Sequence, residues 1–211
     1  MFLDHFKMTA HPFCEHPAAD QLLRDDRIAQ GLARLEYLAA EGTVALLIGQ
    51  TGVGKSSLLR LFIHSLSRNR YQPLYLHLTP VKPGALLRMI VGALGENPRM
   101  GKDRLFGQIF DKLQDSDKTT LLIVDEAHLL SVEALVDLRL LVSSGMHELP
   151  LKILLAGQES LRHLLSRAAL ADLVGRISVR CHLRAFTREQ TVAYIDFRLR
   201  SSGASDKLFE P

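Results

Sequence analysis

The stretch that decides the fold of this chain is GQTGVGKS, residues 49–56. It matches the pattern G-x-x-x-x-G-K-[S/T], whose glycines let the backbone curl until successive N–H groups face one phosphate. Residues 44–48 (VALLI) form a short apolar run typical of a buried strand, and residues 56–67 show apolar positions at helical spacing. This strand–loop–helix context favours a phosphate-binding loop over a glycine-rich connector that holds a lysine by chance.

Each part of this loop has a separate predicted task in binding ATP. Lys55 is expected to reach the terminal phosphates and Ser56 to bind Mg²⁺, while the start of the following helix adds its positive end. The predicted nucleotide-binding residues of the loop are Gly49, Gln50, Thr51, Gly52, Val53, Gly54, Lys55, Ser56 and Ser57.

A second motif, LLIVDEAH at residues 121–128, places two acids directly after an apolar strand. Carboxylates at the carboxyl end of a parallel strand point into the crevice where ligands of such sheets bind. We expect Asp125 to hold Mg²⁺ through water and Glu126 to polarise the attacking water, which predicts ATPase activity. The alternative is that both acids are solvated and lie before the next helix.

The tetrad DEAH also names a class of helicases, but the second motor domain and further motifs of that class are absent from this sequence. The segment 151–161, LKILLAGQESL, instead predicts a strand that brings Gln158 to the same sheet edge. There Gln158 would contact the terminal phosphate or the attacking water; the alternative is a solvated residue at a helix start. No chemistry is assigned to His128.

Apolar runs and helical periodicities alternate along the whole chain. The continuously apolar strands indicate a parallel sheet covered on both faces, and therefore an α/β fold. Strands are predicted at residues 44–48, 74–77, 121–124, 152–156 and 178–183. Helices are predicted at residues 56–67, 82–94, 103–113, 131–142 and 187–201, the last with Thr187 as N-cap and Gln190 three residues on.

Composition limits the classes of protein to which this chain can belong. The 211 residues are 47% apolar, which is enough for a sizeable core, and the net charge of +3 permits polyanion binding without requiring it. No secretory signal or membrane segment is predicted, and Cys14 and Cys181 are expected to be reduced thiols of a cytoplasmic protein. A zinc site at His11, Cys14 and His16 is disfavoured because no second ligand pair is present.

With these motifs in view, the chain resembles the ExeA-like branch of the AAA+ ATPases, whose relatives include the DNA-transposition regulators TnsC and MuB. The resemblance runs through five segments: residues 1–13, 49–57, 121–130, 157–177 and 194–209. It implies an ASCE-type P-loop NTPase fold of three layers with a five-stranded parallel sheet. One departure is Lys7, which stands where the family typically has glycine.

The resemblance also implies residue roles that spacing does not give. Pro12 and Phe13 would lie near the adenine, within an N-terminal segment and helix at residues 1–43 that precede a nucleotide-binding core at residues 44–211. Arg176 would act across a subunit interface as an arginine finger, which makes the active form a homo-oligomer. The alternative for Arg176 is a surface arginine paired with Asp172 or Glu159. The sequence ends where the family's helical lid is expected to begin, so the lid is expected to be missing or truncated.

The leading functional hypothesis is a DNA-bound regulator of transposition that assembles with ATP, selects target sites and recruits or activates a transposase. Its predicted duplex-DNA contacts are Arg99, Lys102 and Arg104, in a basic loop that would bind phosphates without strong sequence preference. A solvated loop without function is the alternative. The second hypothesis is an ExeA-type ATPase of secretion or pilus assembly, and the third is a binding module whose ATP is only structural.

Overall fold

The computed structural model describes residues 2–14, 22–79, 84–143 and 149–204, in which strands and helices alternate. The strands are β1 (Val44–Ile48), β2 (Tyr71–His77), β3 (Thr119–Asp125), β4 (Leu151–Gly157) and β5 (Ile177–His182). The helices are α1 (Phe2–His5), α2 (Asp26–Ala40), α3 (Lys55–Ser65), α4 (Ala85–Ala93), α5 (Lys102–Gln114), α6 (Val132–Val142), α7 (Ser160–Leu165), α8 (Ala171–Gly175) and α9 (Arg188–Ser201). Short 3₁₀ helices lie at Ala127–Leu129 and Ala168–Leu170.

The five strands form one parallel sheet in the order β2-β3-β4-β1-β5. Each strand is followed by at least one helix before the next strand begins, so every connection crosses over and all carboxyl ends meet at one edge. The predicted α/β fold with a five-stranded parallel sheet is confirmed. The strand order also places β1, β3 and β4, which precede the predicted functional residues, next to one another.

Alternate residues of the strands face two separate apolar cores. On β1, Leu46 and Ile48 face a core built with α4 to α8, whereas Ala45 and Leu47 face a core built with α2 and α3. Helices therefore cover both faces of the sheet, as the continuously apolar strands predicted. Helix α2 shares its core with β1 and α3, so it packs on the same face of the sheet as the helix that follows the phosphate loop.

The predicted element boundaries hold within a few residues, and β1 has the predicted bounds. Strand β2 begins three residues before its predicted start, because Tyr71–Pro73 continue the pairing with β3. Pro73 is tolerated there because β2 is an edge strand, where a missing N–H costs no ladder bond. Helix α4 begins at Ala85, and residues 82 and 83 of the predicted helix lie outside the described residues.

Two further predictions concern the later part of the chain. Strand β5 begins one residue earlier than predicted and ends at His182. Its pairing with β1 shifts register between Val44 and Ala45, where Ser178 donates to the Val44 carbonyl. Helix α9 begins with the predicted capping box, in which Thr187 and Gln190 bond each other's backbone N–H. The short helices α7 and α8 escaped the sequence analysis because one or two turns carry little periodic signal.

Among the described residues, no helix has both the length and the apolar character needed to cross a membrane. The longest described helix, α2, has 15 residues and is amphipathic, with its apolar side on the sheet.

The carboxyl end of α2 is held by a lysine from β4. The Nζ of Lys152 donates to the carbonyl oxygens of Leu38, Ala40 and Gly42, at 3.1, 3.2 and 2.9 Å. These carbonyls belong to the last turn of the helix and the residues after it; that of Leu38 also accepts from the Gly42 N–H at 3.1 Å, so the lysine adds a second donor there. A cation at this end is also favoured by the helix dipole, although burial lowers the pKa of the Lys152 ammonium.

We therefore predict that Lys152→Met lowers the free energy of unfolding by about 1–3 kcal/mol, because three carbonyls lose a charged donor. Chemical denaturation followed by circular dichroism measures this change. The matched control is Lys118→Met, an exposed lysine with no side-chain partner among the described residues. Equal stability of the two variants would show that the Lys152 contacts contribute nothing.

Candidate nucleotide-binding and hydrolysis site

The loop between β1 and α3 has the backbone shape that a phosphate site needs. Gly52 and Gly54 have φ angles of +81° and +103°, a region in which side chains other than glycine are strained. A Cβ on Gly49 would lie 2.6 Å from the Leu183 carbonyl oxygen, so only glycine fits there. Helix α3 begins directly after Gly54 without a side-chain cap and without an acid in its first turn, which leaves its N–H groups open to an anion.

Lys55 supplies a buried positive charge at this loop. The residue is only 6% exposed, and its Nζ donates to the carbonyl oxygens of Gly49 and Gln50, both at 2.9 Å. No carboxylate among the described residues lies within ion-pair distance of this ammonium. Because a buried charge is costly without a counter-charge, the arrangement fits a bound phosphate.

The carboxylate of Asp125 faces this loop from the end of β3. Its side chain is 1% exposed, and its two oxygens accept from different donors. Oδ1 accepts from the backbone N–H of Glu126 at 2.9 Å, and Oδ2 accepts from the Tyr75 hydroxyl at 2.7 Å. The Ser56 hydroxyl lies 3.4 Å from the same Oδ2. Ser56 and Asp125, predicted separately as metal ligands, are therefore brought together.

This pair of oxygens fits Mg²⁺. A serine hydroxyl and a buried carboxylate are hard oxygen ligands, and Mg²⁺ in nucleotide sites takes one or two such protein ligands with phosphates and waters completing the shell. In this chain Ser56 and Asp125 would hold the ion beside the ammonium of Lys55.

Glu126 has an unusual backbone conformation. Its φ of +56° is in the left-handed region, which for a residue other than glycine costs about 1 kcal/mol or more. Glu126 directly precedes the 3₁₀ helix Ala127–Leu129, and its Oε2 lies 3.3 Å from Nδ1 of His128. The side chain of His128 is 12% exposed, and no described residue forms an aligned hydrogen bond with its Nδ1. The structure thus places His128, left unassigned by the sequence, against the predicted catalytic carboxylate.

Gln158 lies at the predicted edge, directly after β4. The Gly157 carbonyl accepts from the Gly49 N–H at 3.1 Å, so the end of β4 is tied to the start of the phosphate loop. Because β4 lies between β3 and β1, Gln158 follows the strand that separates Asp125 from Gly49. Its side chain has no hydrogen bond to a described residue, and its predicted contact with phosphate or water stays a prediction.

Arg176 lies between α8 and the start of β5, at the edge of the sheet where the strands begin, which is opposite the edge that carries the phosphate loop. It is exposed and forms no side-chain hydrogen bond or ion pair with a described residue. The alternative pairings are wrong, because Asp172 pairs with Arg139 at 2.7 Å and Glu159 with Arg162 at 2.8 Å. From this edge Arg176 cannot serve the phosphate loop of its own chain, which begins at the carboxyl end of β1.

The N-terminal segment is fixed to α9. The Pro12 carbonyl accepts from Nε of the buried Arg198, and the Thr9 N–H donates to the Ser202 carbonyl at 2.8 Å. Phe13, next to it, is 52% exposed. The predicted contact of Pro12 and Phe13 with adenine stays a prediction. Lys7, at the position where the family typically has glycine, has a φ of +53°, so this chain keeps the left-handed turn without the usual residue.

The predicted basic DNA-binding loop is less uniformly basic than its sequence indicates. Lys102, the first residue of α5, forms an ion pair with the buried carboxylate of Asp137 on α6. Arg99 and Arg104 are exposed and line a depression whose other charged groups are Lys112 and the acids Glu96, Asp111 and Asp115. Three cations and three acids therefore share this surface, which leaves Arg99 and Arg104 as the remaining candidates for phosphate contact.

Two side chains beside Asp125 were missed by the sequence analysis. Tyr75 and His77 lie on β2, and Nδ1 of His77 is 3.7 Å from Asp125 Oδ2. Burial and then the hydrogen bond to Asp125 raise the pKa of the Tyr75 hydroxyl above its ordinary value, so it remains a donor at neutral pH. The alternation of apolar residues with a tyrosine and a histidine at the end of β2 is the one sequence signal that could have indicated them.

The two cysteines, which the sequence predicts to be reduced thiols, are free; Cys14 is exposed and Cys181 is buried. His16 of the disfavoured zinc site lies outside the described residues. Within the described segments, no group of three or more histidine, cysteine, aspartate or glutamate residues could hold a metal ion.

Comparison with known proteins agrees with this geometry. The chain is 28% identical to the general secretion pathway protein A of Aeromonas hydrophila over 222 aligned positions, which cover 100% of the chain and 40% of that protein. The fold is similar to that of a Walker-type ATPase of Pyrococcus abyssi, with a TM-score of 0.68 at 19% identity over 93% of this chain and 64% of that one. It is also similar to the ORC1 protein of Aeropyrum pernix in complex with DNA, with a TM-score of 0.64 at 17% identity over 85% of this chain and 50% of that one.

The chain thus spans less than two thirds of the length of each of these proteins. The structural similarities confirm the P-loop NTPase fold. A family model described as an AAA domain matches residues 39–165, a range that contains the phosphate loop, Lys55, Asp125, Glu126 and Gln158. On this match, which covers more than half of its residues, the chain belongs to the AAA domain family.

Proposed function

We propose that this chain is the motor core of an ATPase that hydrolyses ATP to ADP and phosphate with Mg²⁺. One observation supports this most: a buried lysine that has no acidic partner among the described residues lies at the same sheet edge as a buried aspartate, and Ser56, next to the lysine in sequence, lies 3.4 Å from that aspartate. A site that only stored a nucleotide would need Lys55 and Ser56, but it would not need Glu126 in a strained conformation directly after Asp125.

The residues divide the work of hydrolysis among them. The loop N–H groups and Lys55 bind and orient the phosphates, and Ser56 and Asp125 provide the oxygen ligands of the metal site. Mg²⁺ bound at this site would neutralise charge on the phosphate oxygens. Glu126 accepts a hydrogen bond from the attacking water and aligns it, while Gln158 holds the terminal phosphate or that water from β4. Catalysis of this kind is positioning and electrostatics.

We further propose that a second copy of the chain completes each site. Arg176 stays charged and can donate two hydrogen bonds to phosphate oxygens. Its place at the sheet edge opposite the phosphate loop, and the lack of a partner among the described residues, suit a contact with a neighbouring subunit. The active form would then be a homo-oligomer assembled with ATP.

Two candidates remain for what hydrolysis drives. The relative that matches the whole chain is a general secretion pathway protein, which favours an ExeA-type role in secretion or pilus assembly. The first hypothesis is a regulator that binds duplex DNA and activates a transposase; the exposed Arg99 and Arg104, and the similarity in fold to an ORC1 protein in complex with DNA, support only its DNA-binding part. DNA binding separates the two.

The role of Glu126 predicts that Glu126→Gln lowers the turnover number for ATP by about 10²–10⁴-fold, because a neutral amide polarises the attacking water less than a carboxylate does. Nucleotide affinity is expected to stay at the wild-type value. Phosphate release and binding of a fluorescent ATP analogue measure the two quantities. Glu36→Gln, an exposed acid on α2, is the control. Wild-type turnover in Glu126→Gln would remove Glu126 from the mechanism.

The role of Arg176 predicts that Arg176→Ala also lowers turnover, by about 10³-fold or more. Each Arg176→Ala subunit still has an intact Glu126. Mixing Arg176→Ala with Glu126→Gln subunits then restores phosphate release, because a neighbour can lend its arginine to a site with an intact Glu126. Arg167→Ala, an exposed arginine in the same region, serves as the control. A mixture as inactive as its components would place Arg176 outside the site.

The DNA-binding hypothesis predicts that the double variant Arg99→Glu/Arg104→Glu weakens binding of duplex DNA in the presence of ATP. Loss of two phosphate contacts reduces the slope of log affinity against log salt by about two units. Filter binding over a salt series measures this slope. The control, Arg68→Glu/Lys118→Glu, makes the same change of net charge elsewhere. Equal weakening by both pairs, or no DNA binding by the wild type, would count against the hypothesis.

A further inference from the structure

The hydroxyl of Tyr75 reaches the predicted magnesium ligand from a neighbouring strand. Strands β2 and β3 are parallel, with Tyr75 opposite Ile123 and His77 opposite Asp125. Tyr75 therefore lies two pairs before the end of the ladder, and its long side chain extends toward the carboxyl edge. Its hydroxyl donates to Asp125 Oδ2 at 2.7 Å, a short bond to a charged acceptor.

The hydrogen bond from Tyr75 fixes Oδ2 of Asp125, whose other oxygen, Oδ1, is already fixed. Oδ1 accepts from the Glu126 N–H within the main chain, and that bond alone allows the other oxygen to change direction. With Tyr75 bound to Oδ2, both oxygens have a defined donor. At 1% exposure the Asp125 side chain has almost no contact with water that could replace the tyrosine.

The orientation that Tyr75 enforces faces the other predicted ligand. Oδ2, the oxygen held by Tyr75, is also the oxygen nearest the Ser56 hydroxyl, at 3.4 Å. Each carboxylate oxygen has two lone-pair positions, so Oδ2 can keep the tyrosine bond and still face a metal ion or a metal-bound water. Groups that orient a metal ligand in this way set the affinity of the site.

We propose that Tyr75 is a positioning residue for the magnesium site, holding Asp125 so that its Oδ2 faces Ser56. The inference rests on the proposed function, because it assigns Mg²⁺ to Ser56 and Asp125. It adds a third residue, from β2, to a site that the two sequence motifs place on α3 and β3.

The ring of Tyr75 has little structural task of its own. Tyr75 is 44% exposed and belongs to neither apolar core, whereas Tyr71 on the same strand packs against the core under α2 and α3. The hydroxyl is therefore the part of Tyr75 whose removal matters, and Tyr75→Phe removes it while keeping the ring. Tyr71→Phe is the matched control, since the Tyr71 hydroxyl has no hydrogen bond to a described residue.

The experiment measures equilibrium binding of a fluorescent, non-hydrolysable ATP analogue to the full chain, in EDTA and over a series of Mg²⁺ concentrations. In Tyr75→Phe we expect the affinity in EDTA to equal that of the wild type, because the phosphate loop is intact. We expect the Mg²⁺ concentration that gives half of the magnesium-dependent gain in affinity to rise by about 10–100-fold. Tyr71→Phe should match the wild type in both.

Three results would overturn the inference. The first is a Mg²⁺ requirement in Tyr75→Phe that is unchanged or lower. The second is an equal loss of affinity in EDTA and in Mg²⁺, which would assign Tyr75 to the general structure of the site. The third is the lack of any nucleotide binding by the wild type, which would reject the proposed function itself. Thermal unfolding without nucleotide confirms that both variants are folded.

Discussion

A buried carboxylate, Asp125, is the constraint on which the site depends. Taking a charge out of water is costly unless hydrogen bonds and a counter-charge replace the water. Here a main-chain N–H, the Tyr75 hydroxyl and the nearby Ser56 supply part of that replacement, and each comes from a different segment of the chain. The carboxylate is thus held in one orientation before any ligand arrives, which is the condition for electrostatic catalysis.

The order of the strands makes this convergence possible. With β4 between β3 and β1, the ends of three neighbouring parallel strands bring together Glu126, Gln158 and the phosphate loop. Glycines at these strand ends allow the neighbouring main chains to approach closely. Gly49 lies against the Leu183 carbonyl, and a Cβ on Gly157 would lie 3.2 Å from the backbone nitrogen of His128. Arg176, at the other end of the sheet, needs a second subunit to reach a nucleotide, so in our proposal hydrolysis depends on assembly.

The fold and the centre of the site could be predicted from sequence because their signals are local. The phosphate loop and the acids after β3 are short motifs, and the bounds of β1 follow from five consecutive apolar residues. The remaining features depend on contacts between distant segments. Tyr75 meets Asp125 only through the register of β2 against β3, and Lys102 meets Asp137 only through the packing of α5 on α6. Likewise, sequence spacing could not show which arginines form ion pairs with Asp172 and Glu159.

In our proposal, a magnesium-dependent site shared between two copies of this chain hydrolyses ATP. The decisive measurement is the initial rate of phosphate release by the wild-type protein with Mg²⁺ and ATP over a range of protein concentrations. We expect the rate per subunit to rise with protein concentration and then level off, because each site is completed by a neighbour. A rate per subunit that is independent of concentration down to the greatest dilution, or no phosphate release at any concentration, would contradict it.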